Sequence, residues 1–346
     1  MIIWRDGAFV PGRDEQPLPQ DPWTLPGVFE TLLHNGRSLC RVRAHLDRLA
    51  RGLAALGREM TALPDADQLQ GVVEHLREGN QWRGPARVNV FCPLAGCWRV
   101  AVVVRPMALE LDREYRLWPV VGSPHAQARI KRLQRGDLDQ ARLHAVERGA
   151  DDALLVDEQG RVLETGCAAV LMQQGRRLVA PQGPLLESTA LDALCRARDF
   201  PAIARQRVTL AQLGRADHLW LLNSLRGLRP VVGLGKAALR PGQELARAGT
   251  RLITGMDGQV GASIEARGRA RRARMKAGTL LGTQARAEPW LQPGTPGGAE
   301  SGSDQRGIQT GAGSNQVGTG SAPDRQCSTS PMRSQRTLES CRSQDQ

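Results

Sequence analysis

Lysine is scarce in this chain, and its scarcity singles out one residue. The 346 residues include 47 lysines and arginines, and only the residues at positions 131, 236 and 276 are lysines. A guanidinium stays charged, whereas an amine can lose its proton and then act as a base or a nucleophile. Lys131 is the only lysine before residue 235, so it is the candidate for such a role. The alternative is a surface lysine that a general bias toward arginine has not removed.

The segment around Lys131 resembles the cofactor-lysine segment of the fold-type IV pyridoxal-phosphate enzymes. Ile130–Arg142 contains the Lys-x-Leu-x-Arg-x-Asp arrangement that the lyase subgroup of this family favours. Three further segments resemble the family's GVFET strand, HLDRL helix and GADEALLLD…G.V.E segment, and they occur in the family's order: Gly27–Leu32, His45–Leu49 and Gly149–Thr165. The resemblance therefore covers the first 230 or so residues.

The segment that is most specific for a subgroup is Asn223-Ser-Leu-Arg-Gly-Leu-Arg-Pro-Val231. It is similar to the NSLRG.RPV segment of the aminodeoxychorismate lyases within this family. The resemblance implies that Asn223 and Ser224 lie near the phosphate of the cofactor, where they offer backbone N–H and hydroxyl donors.

The resemblance also implies a role for each other candidate residue. Lys131 would bond covalently to pyridoxal 5'-phosphate. Glu164 would bond the pyridine nitrogen, because a carboxylate keeps that nitrogen protonated and lets the ring accept electrons. Arg48 would bind the phosphate, since a guanidinium forks onto phosphate oxygens. Taken singly, Glu164 and Arg48 fit an ordinary strand-end carboxylate and a helix-surface arginine equally well. No metal site is predicted.

Several positions depart from the family pattern, and they cluster at the expected phosphate site. Glu187, Ser188 and Thr189 stand where the family has a Gly-Ile-Thr turn, in which glycine allows a close backbone approach. A carboxylate at position 187 would repel a phosphate dianion unless its side chain points away. The hydroxyls of Ser188 and Thr189 would restore part of the lost donors. Three more departures replace an Asn, an Arg and a Thr of the family, at Ala169, Ala190 and Leu222.

The resemblance predicts a lyase that converts 4-amino-4-deoxychorismate to p-aminobenzoate and pyruvate, a step toward folate. Lys131, partly desolvated and near a cationic ring, would have a lowered pKa and would remove the C4 proton of the substrate. An aminotransferase of the same fold, acting on D-amino acids or branched-chain acids, is the first alternative because it shares the lysine and the glutamate. A degenerate homologue without catalysis, or a basic-tailed binding protein, is the second.

Hydrophobic periodicity and turn residues predict the elements that position these residues. Arg48 falls on a helix, Glu164 at the end of a strand, and Ser188 and Thr189 at the start of a helix. The predicted strands are 2–10 (with a turn at Asp6-Gly7), 28–33, 86–92, 98–105, 153–156, 161–164, 168–173, 177–180, 203–208 and 218–222. The predicted helices are 43–57, 65–78, 137–149, 188–198 and 209–214.

The order of these elements and the resemblance together predict an α+β fold of two domains, like that of the D-amino acid aminotransferases. A small N-terminal α+β domain would cover residues 1–118, and a larger β-rich domain that binds the cofactor would cover 119–245, after a linker near 118–130. Residues 246–346 are rich in Gly, Ser, Gln and Pro, so we predict a disordered tail that buries too little apolar surface to offset its ordering entropy. The family resemblance implies a homodimer.

Composition narrows the function classes further. The net charge is +12, but the basic residues of residues 1–240 are scattered among acids, so we expect no nucleic acid to bind the folded part. The one concentrated basic run, Arg267–Lys276, lies in the predicted tail. The chain has no run of 18 apolar residues and no apolar leader, so no membrane span is expected. Seven irregularly spaced cysteines complete no zinc site and favour reduced thiols in the cytoplasm, and the expected partner is a small-molecule substrate.

Overall fold

The N-terminal part of the chain forms a five-stranded antiparallel sheet. The computed structural model describes residues 1–58, 63–122 and 128–256. The strands are β1 (Ile2–Arg5), β2 (Ala8–Pro11), β3 (Gly27–His34), β4 (Ala86–Pro93) and β5 (Ala101–Pro106). Their order in the sheet is β2-β1-β5-β4-β3, so β3 lies at an edge. The predicted Asp6-Gly7 turn joins β1 to β2, and both turn residues have positive φ, as such hairpin turns require.

Two helices cover one face of this sheet. The helices are α1 (Val42–Ala55) and α2 (Ala66–Gly79). Leu46, Leu49 and Leu53 recur at helical spacing on α1, and all three are buried against the sheet. The α2 helix begins with a capping box in which Asp65 and Gln68 bond each other's backbone N–H groups. The leucine spacing therefore determines which side of α1 faces the sheet, and with it the direction in which Arg48 points.

The second sheet is larger and mixed. It has the strand order β11-β10-β9-β12-β13-β6-β7-β8, and β14 pairs with β13. Four helices accompany it, and no described helix is long and apolar enough to cross a membrane. The strands are β6 (Tyr115–Val121), β7 (Asp152–Val156), β8 (Val162–Thr165), β9 (Ala169–Gln174), β10 (Arg177–Pro181), β11 (Ile203–Gln206), β12 (His218–Asn223), β13 (Gly227–Leu234) and β14 (Ala237–Ala238). The helices are α3 (Gly136–Val146), α4 (Thr189–Arg196), α5 (Leu210–Leu213) and α6 (Gln243–Thr254).

Strand β6 is absent from the sequence-based prediction, and it moves the proposed domain boundary. The predicted boundary after residue 118 and the predicted linker near 118–130 both overlap this strand, which pairs in parallel with β13 and β7. Pro119 argues against a strand because it lacks a backbone N–H. The structure accommodates it because the pairing with β13 ends at Leu117, so Pro119 needs a partner on one side only. The change of sheet occurs between Pro106 and Tyr115.

The predicted start of the tail at residue 246 is also wrong, because it falls inside α6. The face of this helix that packs against the second sheet is made largely of small residues, with Ala246, Gly249, Thr250 and Ile253 buried. Alanine, glycine and threonine do not form a clear apolar stripe in the sequence. The helix was therefore not predicted from hydrophobic periodicity. The remainder of the predicted tail, from residue 257 onward, lies outside the described residues.

We predict that α6 contributes to the stability of the folded protein. Ile253 is 1% exposed, so Ile253→Ala should lower the free energy of unfolding by about 2–5 kcal/mol through lost burial and a residual cavity. Its neighbour Leu252 is 39% exposed, so Leu252→Ala should change that free energy by less than about 0.5 kcal/mol. Denaturant unfolding of the two variants measures both values. Equal effects would show that the helix does not pack as described.

Candidate active site

A cavity of about 1160 Å³ is lined by residues of both sheets. Phe29 and Asn89 contribute from the first sheet, and Leu163 and Leu222 from the second. All seven residues that the sequence predicted as site residues line this one cavity: Arg48, Lys131, Glu164, Ser188, Thr189, Asn223 and Ser224. The structure therefore brings together residues that lie up to 176 positions apart in the chain.

Lys131 is carried by a segment that runs along the edge strand β3. The Phe29 N–H donates to the Lys131 carbonyl at 3.0 Å, and the Leu133 N–H donates to the Gly27 carbonyl at 2.8 Å. Gly27 cannot carry a side chain, because a Cβ would lie 2.4 Å from the carbonyl oxygen of Cys92. These contacts hold Lys131 Nζ 4.6 Å from the centre of the Phe29 ring, inside the cavity.

The amine of Lys131 is poised to lose its proton. Burial lowers its pKa, Arg48 lowers it further, Glu30 opposes both, and the resulting value is about 8. A substantial fraction of the amine is therefore neutral at slightly alkaline pH. A lysine amine with this property can act as a base or a nucleophile.

Glu164 is the last residue but one of strand β8 and lines the same cavity. Burial raises the pKa of its carboxyl to about 7, although Lys131 and Arg135 oppose the rise. The backbone N–H of Leu186 also stabilises the ionised form. Glu164 can therefore hold a proton near neutral pH, and a cationic partner in the cavity would favour its ionised form.

Arg48 enters the cavity from α1 with most of its donors already used. Its Nε donates to Glu30 Oε1 at 2.6 Å and its Nη2 to Glu30 Oε2 at 2.7 Å. Its Nη1 donates to the carbonyl of Glu187 at 2.6 Å. A guanidinium has five N–H donors, so about two remain for an anion in the cavity. The buried Arg48 thus lies in a fixed orientation before any ligand binds.

Glu30 and His45 complete this buried group, and both were missed as site residues from the sequence. Burial alone raises the pKa of Glu30, but Arg48 and His45 outweigh it and hold the pKa well below its usual range. His45 Nδ1 lies 2.8 Å from Glu30 Oε2. Both residues are fully buried. They belong to the GVFET and HLDRL segments, but a strand–helix contact between residues 15 positions apart cannot be recognised from spacing alone.

Hydroxyl groups form the cavity wall next to the buried side chains of Glu30, His45 and Arg48. Thr189 Oγ1 lies 3.3 Å from His45 Nε2 and 2.9 Å from Ser224 Oγ. Ser188 is the N-cap of α4, where its hydroxyl accepts from the Leu191 N–H at 3.2 Å. The start of α4 thus faces the cavity with backbone N–H groups and two hydroxyls, which is an arrangement that suits an anion.

The residues that depart from the family pattern have clear placements. The Glu187 carboxylate pairs with Arg51, whose Nη2 lies 3.1 Å from Glu187 Oε2, and both side chains are more than half exposed. Ala190 and Leu222 are buried in the apolar cluster beneath α4, and Ala169 packs against it. Asn223 serves the turn after β12, because its amide oxygen accepts from the N–H groups of Leu225 and Arg226.

Comparisons with known proteins identify the family and the fold of the chain. The family model described as Amino-transferase class IV matches residues 27–234, which is more than half of the chain. No curated protein matches the chain. A hypothetical aminotransferase from Mycobacterium tuberculosis, solved in its PLP-bound form, superposes with a TM-score of 0.63 at 22% identity, covering 73% of this chain and 99% of its own.

Two other solved structures superpose almost as well. The branched-chain aminotransferase of the thermophilic archaeon Thermoproteus uzoniensis, solved with norvaline, gives a TM-score of 0.62 at 19% identity, covering 75% of this chain and 96% of its own. A protein of Legionella pneumophila, provisionally named 4-amino-4-deoxychorismate lyase, gives 0.57 at 19% identity, covering 69% and 92%. These likenesses confirm the predicted α+β fold of the class IV aminotransferases.

We predict that Lys131 makes the cofactor-free protein less stable below its unfolded-state pKa. Because its pKa is about 8 when folded and 10.5 in the reference state, the unfolded chain binds more protons between these values, and stability rises with pH across this window. Lys131→Met should remove this rise and stabilise the protein near neutral pH by about 1–3 kcal/mol. Denaturant unfolding at several pH values measures it. The exposed Lys236→Met control should retain the wild-type slope, and a retained slope in Lys131→Met would contradict the assignment.

Proposed function

The chain belongs to the class IV amino-transferase family, and we propose that it is a pyridoxal 5'-phosphate enzyme that acts as an aminodeoxychorismate lyase. The observation that carries the enzyme and cofactor proposal is the pairing, in one cavity, of a lysine whose pKa is lowered to about 8 with the half-buried carboxyl of Glu164. The segment Asn223–Val231 carries the choice of the lyase. One solved relative is described in its PLP-bound form, which supports the predicted cofactor.

The residues present fit this cofactor. Arg48, the start of α4 and the hydroxyls of Thr189 and Ser224 would hold the phosphate. Glu164 would bond the ring nitrogen, and Lys131 would bond the aldehyde carbon. The departure at Glu187 does not obstruct the phosphate, because that side chain lies against Arg51 in a solvent-exposed pair. When bound, the cofactor supplies an electron-accepting ring next to the reacting carbon.

The protein's own residues supply the proton chemistry. Lys131 Nζ would take the proton from C4 of the substrate, because its lowered pKa leaves part of the amine neutral. The nearby Arg48 and Arg135 lower the pKa of Lys131, so the amine gives up its proton readily. Phe29 beneath Nζ excludes water from one side of the amine. Glu164 holds the ring nitrogen and balances the charge there.

The walls of the cavity suit an anionic substrate. Arginines outnumber carboxylates among the lining residues, and a surplus of positive charge in a cleft attracts carboxylate ligands. Aminodeoxychorismate has two carboxylates and fits this description. The lining arginines, besides Arg48, are Arg87, Arg129, Arg132, Arg135, Arg205 and Arg226.

An aminotransferase is the second candidate, and the known relatives favour it in number. The hypothetical and branched-chain aminotransferases superpose at least as well as the provisionally named lyase. The lysine, the glutamate and the arginine-rich wall serve either reaction. The lyase is supported by the segment Asn223–Val231, which forms the turn carrying Ser224 at the cavity wall. The homodimer stays a prediction from the family resemblance, and the cytoplasmic location stays a prediction from the cysteine pattern.

We predict that purified protein mixed with pyridoxal phosphate shows the visible absorbance band of the covalently bound cofactor. Lys131→Ala should lose this band, because no other described lysine lines the cavity. Lys236→Ala, which changes an exposed lysine on the turn after β13, is the matched control and should keep it. A wild type that stays colourless with excess cofactor would refute the enzyme proposal.

A second prediction separates the two reactions. With aminodeoxychorismate alone, the protein should release p-aminobenzoate and pyruvate in equal amounts without any amino acceptor. Both products can be measured in one assay, the first by fluorescence and the second by lactate dehydrogenase. Amino transfer that depends on an added keto acid, with no p-aminobenzoate released, would replace the lyase with the aminotransferase.

A further inference from the structure

A continuous chain of polar groups runs from a buried carboxylate to the wall of the cavity. It begins at Glu30, passes through the imidazole of His45 and the hydroxyl of Thr189, and ends at Ser224. The successive distances are 2.8, 3.3 and 2.9 Å. Glu30 and His45 are fully buried, whereas Thr189 and Ser224 line the cavity. The chain joins four different parts of the fold, namely β3, α1, α4 and the turn after β12.

The proton positions in this chain follow from what each group can donate. An ionised carboxylate only accepts, so the proton between Glu30 and His45 lies on Nδ1 of the imidazole. In neutral His45 the other nitrogen, Nε2, is therefore an acceptor, and the Thr189 hydroxyl donates to it. Because that hydroxyl has one proton, Ser224 must donate to Thr189. Both hydroxyl protons then point toward His45, and Ser224 presents only lone pairs to the cavity.

A second proton on His45 reverses the two hydroxyl bonds, while Nδ1–H still donates to Glu30. Nε2–H then donates to Thr189, Thr189 donates to Ser224, and the Ser224 O–H is free to donate into the cavity. The charge of the group formed by Glu30, Arg48 and His45 changes at the same time from zero to +1. Both changes favour an anion beside Ser224 and Arg48, because a hydrogen bond to a charged group is stronger than one between neutral groups.

We propose that His45 is a positioning residue of the anion site, and that a doubly charged anion binds there together with one proton taken from solvent onto His45 Nε2. This inference rests on the proposed function, because the phosphate of the cofactor is the dianion concerned. The hydroxyl chain itself gives the proton a route, since Ser224 faces the cavity and each hydroxyl can pass a proton to the next acceptor. His45 does not touch the ligand and acts through Thr189 and Ser224.

The charges around His45 agree with proton uptake on binding. Burial lowers its pKa, Glu30 on β3 opposes this, and Arg48 and Arg41 at α1 lower it further. The contacts from α4 and from the turn after β12 are hydroxyls without charge. His45 is therefore neutral at neutral pH without a ligand. A dianion nearby raises the pKa of His45, so the anion binds more tightly as pH falls through the window between the two pKa values, by up to about tenfold per pH unit.

Sulfate is the probe for this inference, because it keeps its charge across neutral pH and does not release or take up protons itself. Calorimetry of sulfate binding to cofactor-free protein, repeated in two buffers of different ionisation enthalpy, gives the number of protons taken up. We expect about one proton per sulfate near neutral pH. His45→Gln should remove most of this uptake and leave the smaller part that Lys131 and Glu164 contribute, because both line the same cavity with pKa values of about 8 and about 7.

Two further variants keep the test decisive. Thr189→Val interrupts the hydroxyl chain at similar volume and should remove most of the uptake while His45 is still present, which also covers the case that His45→Gln does not fold. His34→Gln is the matched control, because His34 is a fully buried histidine that also contacts a glutamate, with Nε2 2.8 Å from Glu74 Oε1, away from the cavity. This variant should keep the uptake of the wild type.

The outcomes separate this inference from the proposed function. Sulfate binding without proton uptake, or equal uptake in the wild type and in Thr189→Val, overturns the role of His45 and leaves the cofactor proposal standing if the visible band forms. Failure to bind sulfate, together with the absence of the band, overturns both. Loss of uptake in His34→Gln would also overturn the inference, because it would place the proton elsewhere.

Discussion

The buried carboxylate of Glu30 is the constraint on which the site depends. It lies on the edge strand β3 and holds two residues of α1, Arg48 and His45, through three contacts of 2.6–2.8 Å. An ionised carboxylate costs several kcal/mol to bury unless partners compensate it, and here a bidentate guanidinium and an imidazole do so. Without Glu30, Arg48 would be a buried cation without a counterion. The ion pair between Glu30 and Arg48 therefore fixes both the packing of α1 on β3 and the direction of the remaining N–H donors of Arg48.

The same strand also positions the lysine, so β3 holds both ends of the proposed cofactor site. The backbone of Phe29 holds Lys131, and the next side chain, Glu30, holds Arg48. The lysine segment bonds to the backbone at the edge of the sheet and the arginine bonds to the side chain of the next residue, so one short stretch of β3 positions both. Lys131 and Glu164 both have pKa values displaced toward neutrality, mainly because burial disfavours their charged forms. That displacement costs stability, and it is the usual signature of a catalytic site rather than of a structural ion pair.

Some elements and site residues could be predicted from the sequence, and others could not. The leucines of α1 predicted that helix, because apolar periodicity reports burial directly, and apolar runs between polar turns predicted β4 and β9. The seven site residues were predicted from family segments, and they do meet in one cavity. Strand β6 and helix α6 were missed because a proline and a run of small residues hide the apolar pattern. Glu30 and His45 were missed as site residues because their importance lies in a contact between a strand and a helix, which spacing along the chain does not encode.

The replacement of the family's glycine by Glu187 shows how such a site can tolerate an apparently adverse residue. Glycine is required where φ is positive or where a Cβ would collide. Among the described residues other than glycine, φ is positive only at Asp6, Arg41 and Gln81, so the backbone at Glu187 needs no glycine. The carbonyl of Glu187 instead accepts from Arg48, and its carboxylate pairs with Arg51 in solvent. The turn is thus held by a bond to the guanidinium of Arg48, which also lines the proposed phosphate site. The negative charge of Glu187 is partly neutralised by Arg51.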